Sequence, residues 1–519
     1  MRSCSPASTT SAPRPRLFRT IPALARGTVA AVLLALLAAV PALGGARRGG
    51  APVEPGSVAR NSESRTLPRS VEAALARGGV PRDALVAWVQ EVDAAQPRLA
   101  WQADKPVNPA SLMKLVTTFA GLELLGPAYT WSTPVWLQGS VADGVLNGNL
   151  VIKGSGDPTL VLERMWLLTR RVQQAGVREI RGDIVLDRSA FAPGELDPAE
   201  FDGEPLRPYN VGADALLLNY RAVLLTFTPD PGRGVATIAV DPPLAGVRTD
   251  ATVPLVSGAC EDWRGALKGE LDDPARMHFA GAFPVACGEK VWPLAYADPK
   301  SYNARALAGL WAEEGGKLTG VVRDGAAPAL TPSFELRSPT LAEVIRDINK
   351  LSNNVMAQQL FLTLGATQRN AGTPEGSREV VRQWLRSRVG NAANVAVISN
   401  GSGLTRDSRL SAALLGRLLQ AAWSSAVMPE LMSSLPVAGI DGTLRRSKGV
   451  PGRAHLKTGS LRDVVGVAGY VLADSGRRYV VVAIVNHPNA NAARPALEAM
   501  AEWAASDAPA LAPTAPEPP

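Results

Sequence analysis
The sequence predicts a mixed helix-and-sheet protein, one α/β domain interrupted by a β-rich insertion. Three observations predict it. Strand-like and helix-like segments occur together near both ends of the chain. Between about Trp136 and Phe334 helical periodicity gives way to short apolar runs punctuated by Gly, Pro and Asp, and it returns after that block. The length of 519 residues, with 46% apolar and 19% charged residues, fits packed globular structure with more than one core.

The N-terminus is a separate matter. Its first 44 residues hold five arginines and no acidic residue, and so account for five of the seven net positive charges. The remainder is close to neutral and lacks a basic stripe interleaved with aromatics, so charge gives no reason to expect a nucleic-acid partner. Basic residues precede TVAAVLLALLAAV, Pro41 ends the run and the small residues ALGGA follow, which is the pattern of a secretory signal over 1–45. The mature protein is expected to be exported. The alternative is an uncleaved anchor, since Gly27 to Gly45 is uncharged and near the minimum bilayer span; any membrane contact would be made there. Residues 46–70, rich in Gly, Pro, Arg and Ser, read as a linker.

The elements then follow in order. DALVAWVQEVD (83–93) reads as a buried strand, and NPASLMKLVTTFA (108–120) begins a helix from Ser111 to about Leu125 with Leu112, Val116 and Phe119 on an apolar stripe. Within the central block VWLQGSV, NLVIKG, DIVLDRSAF, AVLLTFTPD and ATIAVDPP read as strands. SPTLAEVIRDINKL, NVMAQQLFLTLGA and LSAALLGRLLQAAW read as helices. VVGVAGYVLADSGRRYVVVAIVN predicts a hairpin turning at Asp474-Ser475-Gly476, followed by the helix ARPALEAMAEWAA and a disordered Pro/Ala tail over 506–519. Cys4 would leave with the signal, so Cys260 and Cys287 remain as an even pair in an oxidising compartment and are expected to form a disulfide.

Two polar residues are out of place in a buried helix. Ser111 and Lys114 are three apart and share one face, where a lysine of lowered pKa could take the serine proton. S-x-x-K alone is weak, because random sequence of this length holds about two examples; the plainer reading is an N-cap serine and a solvated lysine. Lys457-Thr458-Gly459 lies in the strand-like AHLKTGSL. Lysine and threonine there can bind a carboxylate while glycine lets a substrate backbone approach, the plainer reading being an edge strand ending at a turn. Ser352-Asn353-Asn354 lies at the junction of two helices; Ser301-Tyr302-Asn303 has the same S-x-N spacing, but Ser301 reads as a helix N-cap. The three histidines, His278, His455 and His487, stand in unlike contexts and give a Ser-His-Asp triad little material, although His455 could line a cleft beside Lys457. No zinc motif occurs, and no metal or cofactor is expected.

S-x-x-K, S-x-N and K-T-G in this order are the signature set of penicillin-binding proteins and class A β-lactamases. The chain resembles the D-alanyl-D-alanine carboxypeptidase/endopeptidases of the penicillin-binding protein 4 type from about residue 70 to 505. GNLVIKGSGDPTL (148–160), DIVLDRSAF (183–191), SYNARAL (301–307), NGSGLTR (400–406) and LPVAGIDGTLRRS (435–447) look like family segments, as does the long insertion. Asn353 stands where some members have Asp, and Arg462 where some have Gln; the second departure bears on fine specificity.

The resemblance implies an α+β fold, a β-lactamase/transpeptidase-like domain with an antiparallel sheet and helices on both sides. That domain would comprise 71–135 and 335–505, interrupted by an insertion over 136–334 in two nested subdomains. It implies Ser111 as nucleophile, Lys114 as general base, Ser352 as proton relay, Asn354 as the group orienting Lys114, and Lys457 and Thr458 as the carboxylate site, with Gly459 and Ser460 lining the strand. The N–H groups of Ser111 and Ser460 would form the oxyanion hole. Arg406 and Asp202 would shape a pocket for the substrate side chain; their plainer readings are an arginine paired with Asp407 and an aspartate capping a loop turn. The implied partners are peptidoglycan peptides, with β-lactams as covalent inhibitors, and the implied location is periplasmic. A β-lactamase and a non-catalytic peptidoglycan-binding protein of the same fold are the rival readings.

Overall fold
The computed structural model describes residues 66–507 except 195–196 and 371. The expected signal, most of the linker and residues 508–519 lie outside the described residues. Two boundaries move. A helix over Arg69–Arg77, with Val71, Ala74 and Leu75 on its buried face, starts inside the expected linker. Asp507, expected in a disordered tail, is buried and accepts hydrogen bonds from Ser475 Oγ at 2.6 Å and Tyr479 Oη at 2.9 Å.

An antiparallel sheet of five strands organises the ends of the chain, in the order Ala454–Leu461, Val464–Leu472, Arg478–Asn486, Leu85–Glu91, Leu99–Trp101. Successive side chains alternate between its faces. Val480, Val482 and Ile484 enter a core shared with the helices Met113–Leu125, Leu341–Lys350, Asn354–Arg369, Pro374–Val389 and Ala412–Trp423. Val481, Ala483 and Val485 enter the core beneath Arg69–Arg77 and Arg494–Ala505. Both faces are covered, which is why RYVVVAIVN reads as a continuous apolar run and not as an alternating one. The fold is α+β with helices on both sides of the sheet.

The helix starting near Ser111 is more buried than an apolar stripe requires. Every residue from Met113 to Leu122 is buried, because sheet and helices enclose it on all sides. Its neighbours begin on sequence-encoded caps: Thr340 and Glu343 form a capping box, and Ser411 accepts from Leu414 N at 3.1 Å.

The central block is strand-rich, with a core of its own. Its first strand, Ser132–Ala142, pairs with its last, Phe334–Arg337, so the segment leaves and rejoins the rest of the chain at one place. Among the described residues the strands of a five-stranded and a three-stranded sheet alternate with each other along the chain, and both sets lie between the first and last strands of a seven-stranded sheet. Among the described residues three helices interrupt the strands: the short Trp263–Leu267, Pro299–Glu313, and Leu162–Gln174, which the strand-like reading of the block passed over. Cys260 and Cys287 are disulfide-bonded with Cα atoms 4.8 Å apart.

Candidate active site
The turn that presents Ser111 is built by Asn108. Its Oδ1 accepts from Ala110 N at 2.8 Å, its Nδ2 donates to Thr405 O at 2.9 Å, and its backbone exchanges hydrogen bonds with the Asn486 side chain. Ala110 is held at φ 46°, a left-handed conformation that residues with a Cβ seldom adopt. A short 3₁₀ turn over Ala110–Leu112 then runs into the helix Met113–Leu125, bringing Lys114 Nζ within 2.9 Å of Ser111 Oγ.

Lys114 is 0% exposed, with Nζ 2.7 Å from Asn354 Oδ1 and 2.8 Å from Ser402 O. Burial pushes its pKa well below the ordinary lysine range, and the charge of Lys457 pushes the same way. Lys457, also 0% exposed, places Nζ 2.9 Å from Ser352 Oγ and 2.7 Å from Thr458 O; burial lowers it to about 7. Among the described residues no carboxylate is bonded to either Nζ, so no counter-ion there opposes the two shifts. Ser352 sits at φ 58°, and Asn353 accepts from Met356 N at 3.0 Å as the cap of the helix that begins with Asn354. The middle position of S-x-N is thus a helix cap here, a task that Asp performs equally well.

Two glycines permit the approach of these elements. A Cβ on Gly459 would lie 2.8 Å from Pro109 O, so the glycine of K-T-G lets the edge strand pack against the turn carrying Ser111. This packing role stands beside the expected one of admitting a substrate backbone, since Gly459 also lines the cleft. Gly403, at φ 78°, would drive a Cβ to 1.9 Å from Ala110 O. The loop Asn400–Leu404 can therefore lie on the helix, where Thr117 Oγ1 donates to Gly401 O at 2.7 Å.

Ser111, Ser352, Thr458, Gly459 and Ser460 line one cleft of about 370 Å³. Thr443 lies across it, with its hydroxyl 2.7 Å from that of Thr458. Arg406 is less central. It pairs with Asp463, not with Asp407, and its guanidinium stands 5.1 Å from the Phe201 ring centre. Asp202 accepts from Tyr209 Oη and Asn210 Nδ2, both at 2.8 Å, and so ties its own loop together. That loop still reaches the site, since Asn354 Nδ2 donates to Tyr209 O at 3.3 Å. Ser301 is not an N-cap: Asp298 caps the helix by accepting from Lys300 N, and Ser301 Oγ accepts from Arg305 Nε at 3.1 Å. His455 is half-buried, its pKa lowered by burial and the Lys350 charge, and it does not line the cleft. Thr443, Ser402 and Tyr209 were not singled out from the sequence. Thr443 and Ser402 lie in the segments LPVAGIDGTLRRS and NGSGLTR, but a backbone carbonyl leaves no mark of its own in a sequence.

A serine hydrogen-bonded to a buried lysine that meets no carboxylate among the described residues, set between a helix and the edge of an antiparallel sheet, is the arrangement of a serine hydrolase of the β-lactamase-like class. Comparison with known proteins is consistent with this class. Residues 67–507 match the D-Ala-D-Ala carboxypeptidase 3 (S13) family, and the chain belongs to that family. It is a serine peptidase, and the likeness to the penicillin-binding protein 4 type is borne out. It is 29% identical to the D-alanyl-D-alanine carboxypeptidase of Actinomadura sp. (strain R39), covering 77% of this chain and 78% of that one. It is 24% identical to D-alanyl-D-alanine carboxypeptidase DacB of Haemophilus influenzae, covering 73% and 80%. The crystal structure of penicillin-binding protein 4 from Haemophilus influenzae shares the fold, with a TM-score of 0.67 at 21% identity over 82% of this chain and 97% of that one.

Proposed function
We propose that the chain is a penicillin-sensitive D-alanyl-D-alanine carboxypeptidase and D,D-endopeptidase that works on peptidoglycan stem peptides through an acyl-enzyme on Ser111. The observation that carries this reading is the buried Lys114, 2.9 Å from Ser111 Oγ with its pKa pushed down. Neutral Lys114 takes the hydroxyl proton as Ser111 Oγ attacks the D-alanyl carbonyl. Asn354 orients Lys114. The N–H groups of Ser111 and Ser460 receive the developing oxyanion. The C–N bond breaks, Ser352 relays the proton to the leaving amine, and water then hydrolyses the ester. Lys457 and Thr458 hold the carboxylate of the leaving residue, and Gly459 keeps the strand close.

Arg406 stands over the ring of Phe201, the neighbour of Asp202, and the loop that Asp202 ties together meets Asn354 through Tyr209 O. We assign them to recognition of the substrate side chain. The catalytic domain is assigned to 71–135 and 335–505 and the insertion to 136–334. The periplasm is the proposed location, supported by the N-terminal pattern and by a peptidoglycan substrate. Among the described residues no helix is long and apolar enough to cross a membrane.

Ser111→Ala tests the reading. It should abolish both covalent labelling by fluorescent penicillin and release of D-alanine from a pentapeptide, and labelling that persists in the variant would overturn the site assignment. Fast, sustained nitrocefin turnover would instead support a β-lactamase.

A further inference from the structure
Three hydroxyl groups of the cleft stand on separate segments. Ser352 follows the helix Leu341–Lys350, Thr458 lies on the edge strand, and Thr443 lies between them in sequence, in the segment 435–447. That segment is stitched to the edge strand through the backbone: Val437 bridges His455, Ala438 N donates to Ala454 O at 2.9 Å, and Leu456 N donates to Pro436 O at 2.9 Å. Its link to the Ser352 junction is of another kind, made by a side-chain ion pair and a glycine.

Lys350 is 8% exposed, and its Nζ donates to Asp441 Oδ2 at 2.6 Å. Asp441 Oδ1 accepts from Val437 N at 2.8 Å, so one carboxylate both closes its own loop and holds the end of the helix. Burial pushes the Asp441 carboxyl up, but the hydrogen bonds from Lys350 and Val437 and the charges of Lys350 and Arg346 outweigh that and hold it below its ordinary value. Gly442, at φ 56°, would drive a Cβ to 2.6 Å from Lys350 O, so the loop lies directly on the helix end. Neither Lys350 nor Asp441 lines the cleft, yet each stands two residues before a group that does. Lys350 precedes Ser352, held at φ 58°, and Asp441 precedes Thr443, whose hydroxyl is 2.7 Å from that of Thr458. An exposed lysine would serve the C-terminus of a helix equally well. Desolvating this one has a cost that only a fixed partner offsets, so the helix end and the loop are held in one arrangement.

We propose that Lys350 and Asp441 are positioning residues, which together hold Ser352 at a fixed separation from Thr443 and, through it, from the Thr458 hydroxyl. The pair touches no substrate. It sets the distance between the group that relays the proton and the group that holds the carboxylate of the leaving residue. This role rests on the function proposed above, with Ser111 as nucleophile. Removing the carboxylate strands a buried ammonium, and removing the ammonium frees the loop from the helix end; either change lets the two walls shift. Misplacement by about 1 Å can cost about 100-fold in rate even when the change lies away from the reacting atoms.

The test compares purified full-length wild type with Lys350→Met, Asp441→Asn, the double variant carrying both, and Lys350→Arg in release of D-alanine from a pentapeptide. Reactive sites are titrated to completion with fluorescent penicillin, so kcat is expressed per labelled site and a misfolded fraction does not enter it. Lys350→Met and Asp441→Asn are each expected to lower kcat/KM per labelled site about tenfold, with KM rising as Thr458 loses its place and kcat falling as Ser352 loses its own. The double variant should lose no more than either single one, because the two side chains act as a unit. Lys350→Arg, which keeps the charge, should retain most of the wild-type value. A role in stability alone would move the unfolding temperature and leave the values per labelled site unchanged. Single-variant values within about twofold of wild type, or losses that add in the double variant, would overturn the assignment. The double variant leaves no unpaired charge, so it decides the matter if a single variant does not fold: a value there within about twofold of wild type overturns the assignment as well. If penicillin labels the wild type and not Ser111→Ala, such a result counts against the pair alone; if it does not, the nucleophile assignment falls and takes the role of the pair with it.

Discussion
Lys114 Nζ and Ser111 Oγ lie 2.9 Å apart, and the lysine has no exposed surface. Among the described residues no carboxylate offsets the loss of water around the ammonium, so burial shifts the balance toward the neutral amine, the form able to accept a proton.

This pair predicts a pH dependence. A base with a lowered pKa is protonated only below that lowered value, so acylation should be lost on the acid side. Part of the lowering comes from the Lys457 charge. Lys457→Met removes that charge while leaving burial in place, so the Lys114 pKa should rise and the acid limb should move to higher pH. The second-order rate of fluorescent-penicillin labelling, followed from about pH 5 to 9, reports the limb. A limb that stays put would contradict the coupling. In the wild type, Lys457 itself loses charge above about 7, and the KM for carboxylate substrates should rise there.

Gly403 and Gly476 separate backbone strain from close approach. They have similar positive φ, 78° and 84°, but a Cβ at 403 would meet Ala110 O at 1.9 Å while at 476 nothing lies within 4 Å. Gly476→Ala should cost roughly 1–2 kcal/mol. Gly403→Ala should cost about 2 kcal/mol more and slow penicillin labelling, because the contact it breaks sits beside Ser111. Denaturant titration and labelling rates check both, and equal losses would remove the steric argument.

The disulfide closes a loop with a sequence separation of 27, and Cys287 belongs to the core of the central block, not to those flanking the catalytic sheet. Cys260→Ser with Cys287→Ser should destabilise by about 3 kcal/mol in the chain-entropy account. Thermal unfolding should shift down, while labelling of the folded protein at 25 °C proceeds at the wild-type rate. A lost labelling rate would mean that the block couples to the site more strongly than separate cores imply.

Asp507 anchors the hairpin turn through Ser475, Arg477 and Tyr479. Burial pushes its carboxyl up, but the hydrogen bonds from Ser475 and Tyr479 and the Arg477 charge outweigh that and hold it below its ordinary value. Its contribution is therefore present above the unfolded carboxylate pKa and lost as pH falls through the folded one. Asp507→Ala should cost roughly 2 kcal/mol at neutral pH, with the difference shrinking in acid. Denaturation midpoints at both pH values provide the measurement.

Much of the fold was legible because its signals are local. The strand Ala222–Asp230 coincides with AVLLTFTPD, and the hairpin turns at the Asp-Ser-Gly where turn chemistry places it. The helix Leu162–Gln174 was not legible, since its polar and basic residues interrupt the apolar pattern and only Met165, Leu168 and Val172 mark the buried face. The bonding of Asp507 and the pairing of Arg406 with Asp463 depend on contacts across 28 to 57 residues, which no window of sequence contains.

By itself the sequence determined the helix that carries Ser111 and Lys114, the S-x-N junction, the K-T-G strand and their order, because spacing within one turn or one strand puts side chains on a common face. Only the tertiary structure decided that Lys114 and Lys457 are both buried with no carboxylate bonded to either among the described residues. It also decided that Gly459 serves the packing of strand on turn and that Lys350 meets Asp441 behind the cleft. Burial and charge balance are properties of a surface assembled from distant segments, and they take their values only once the chain has closed upon itself.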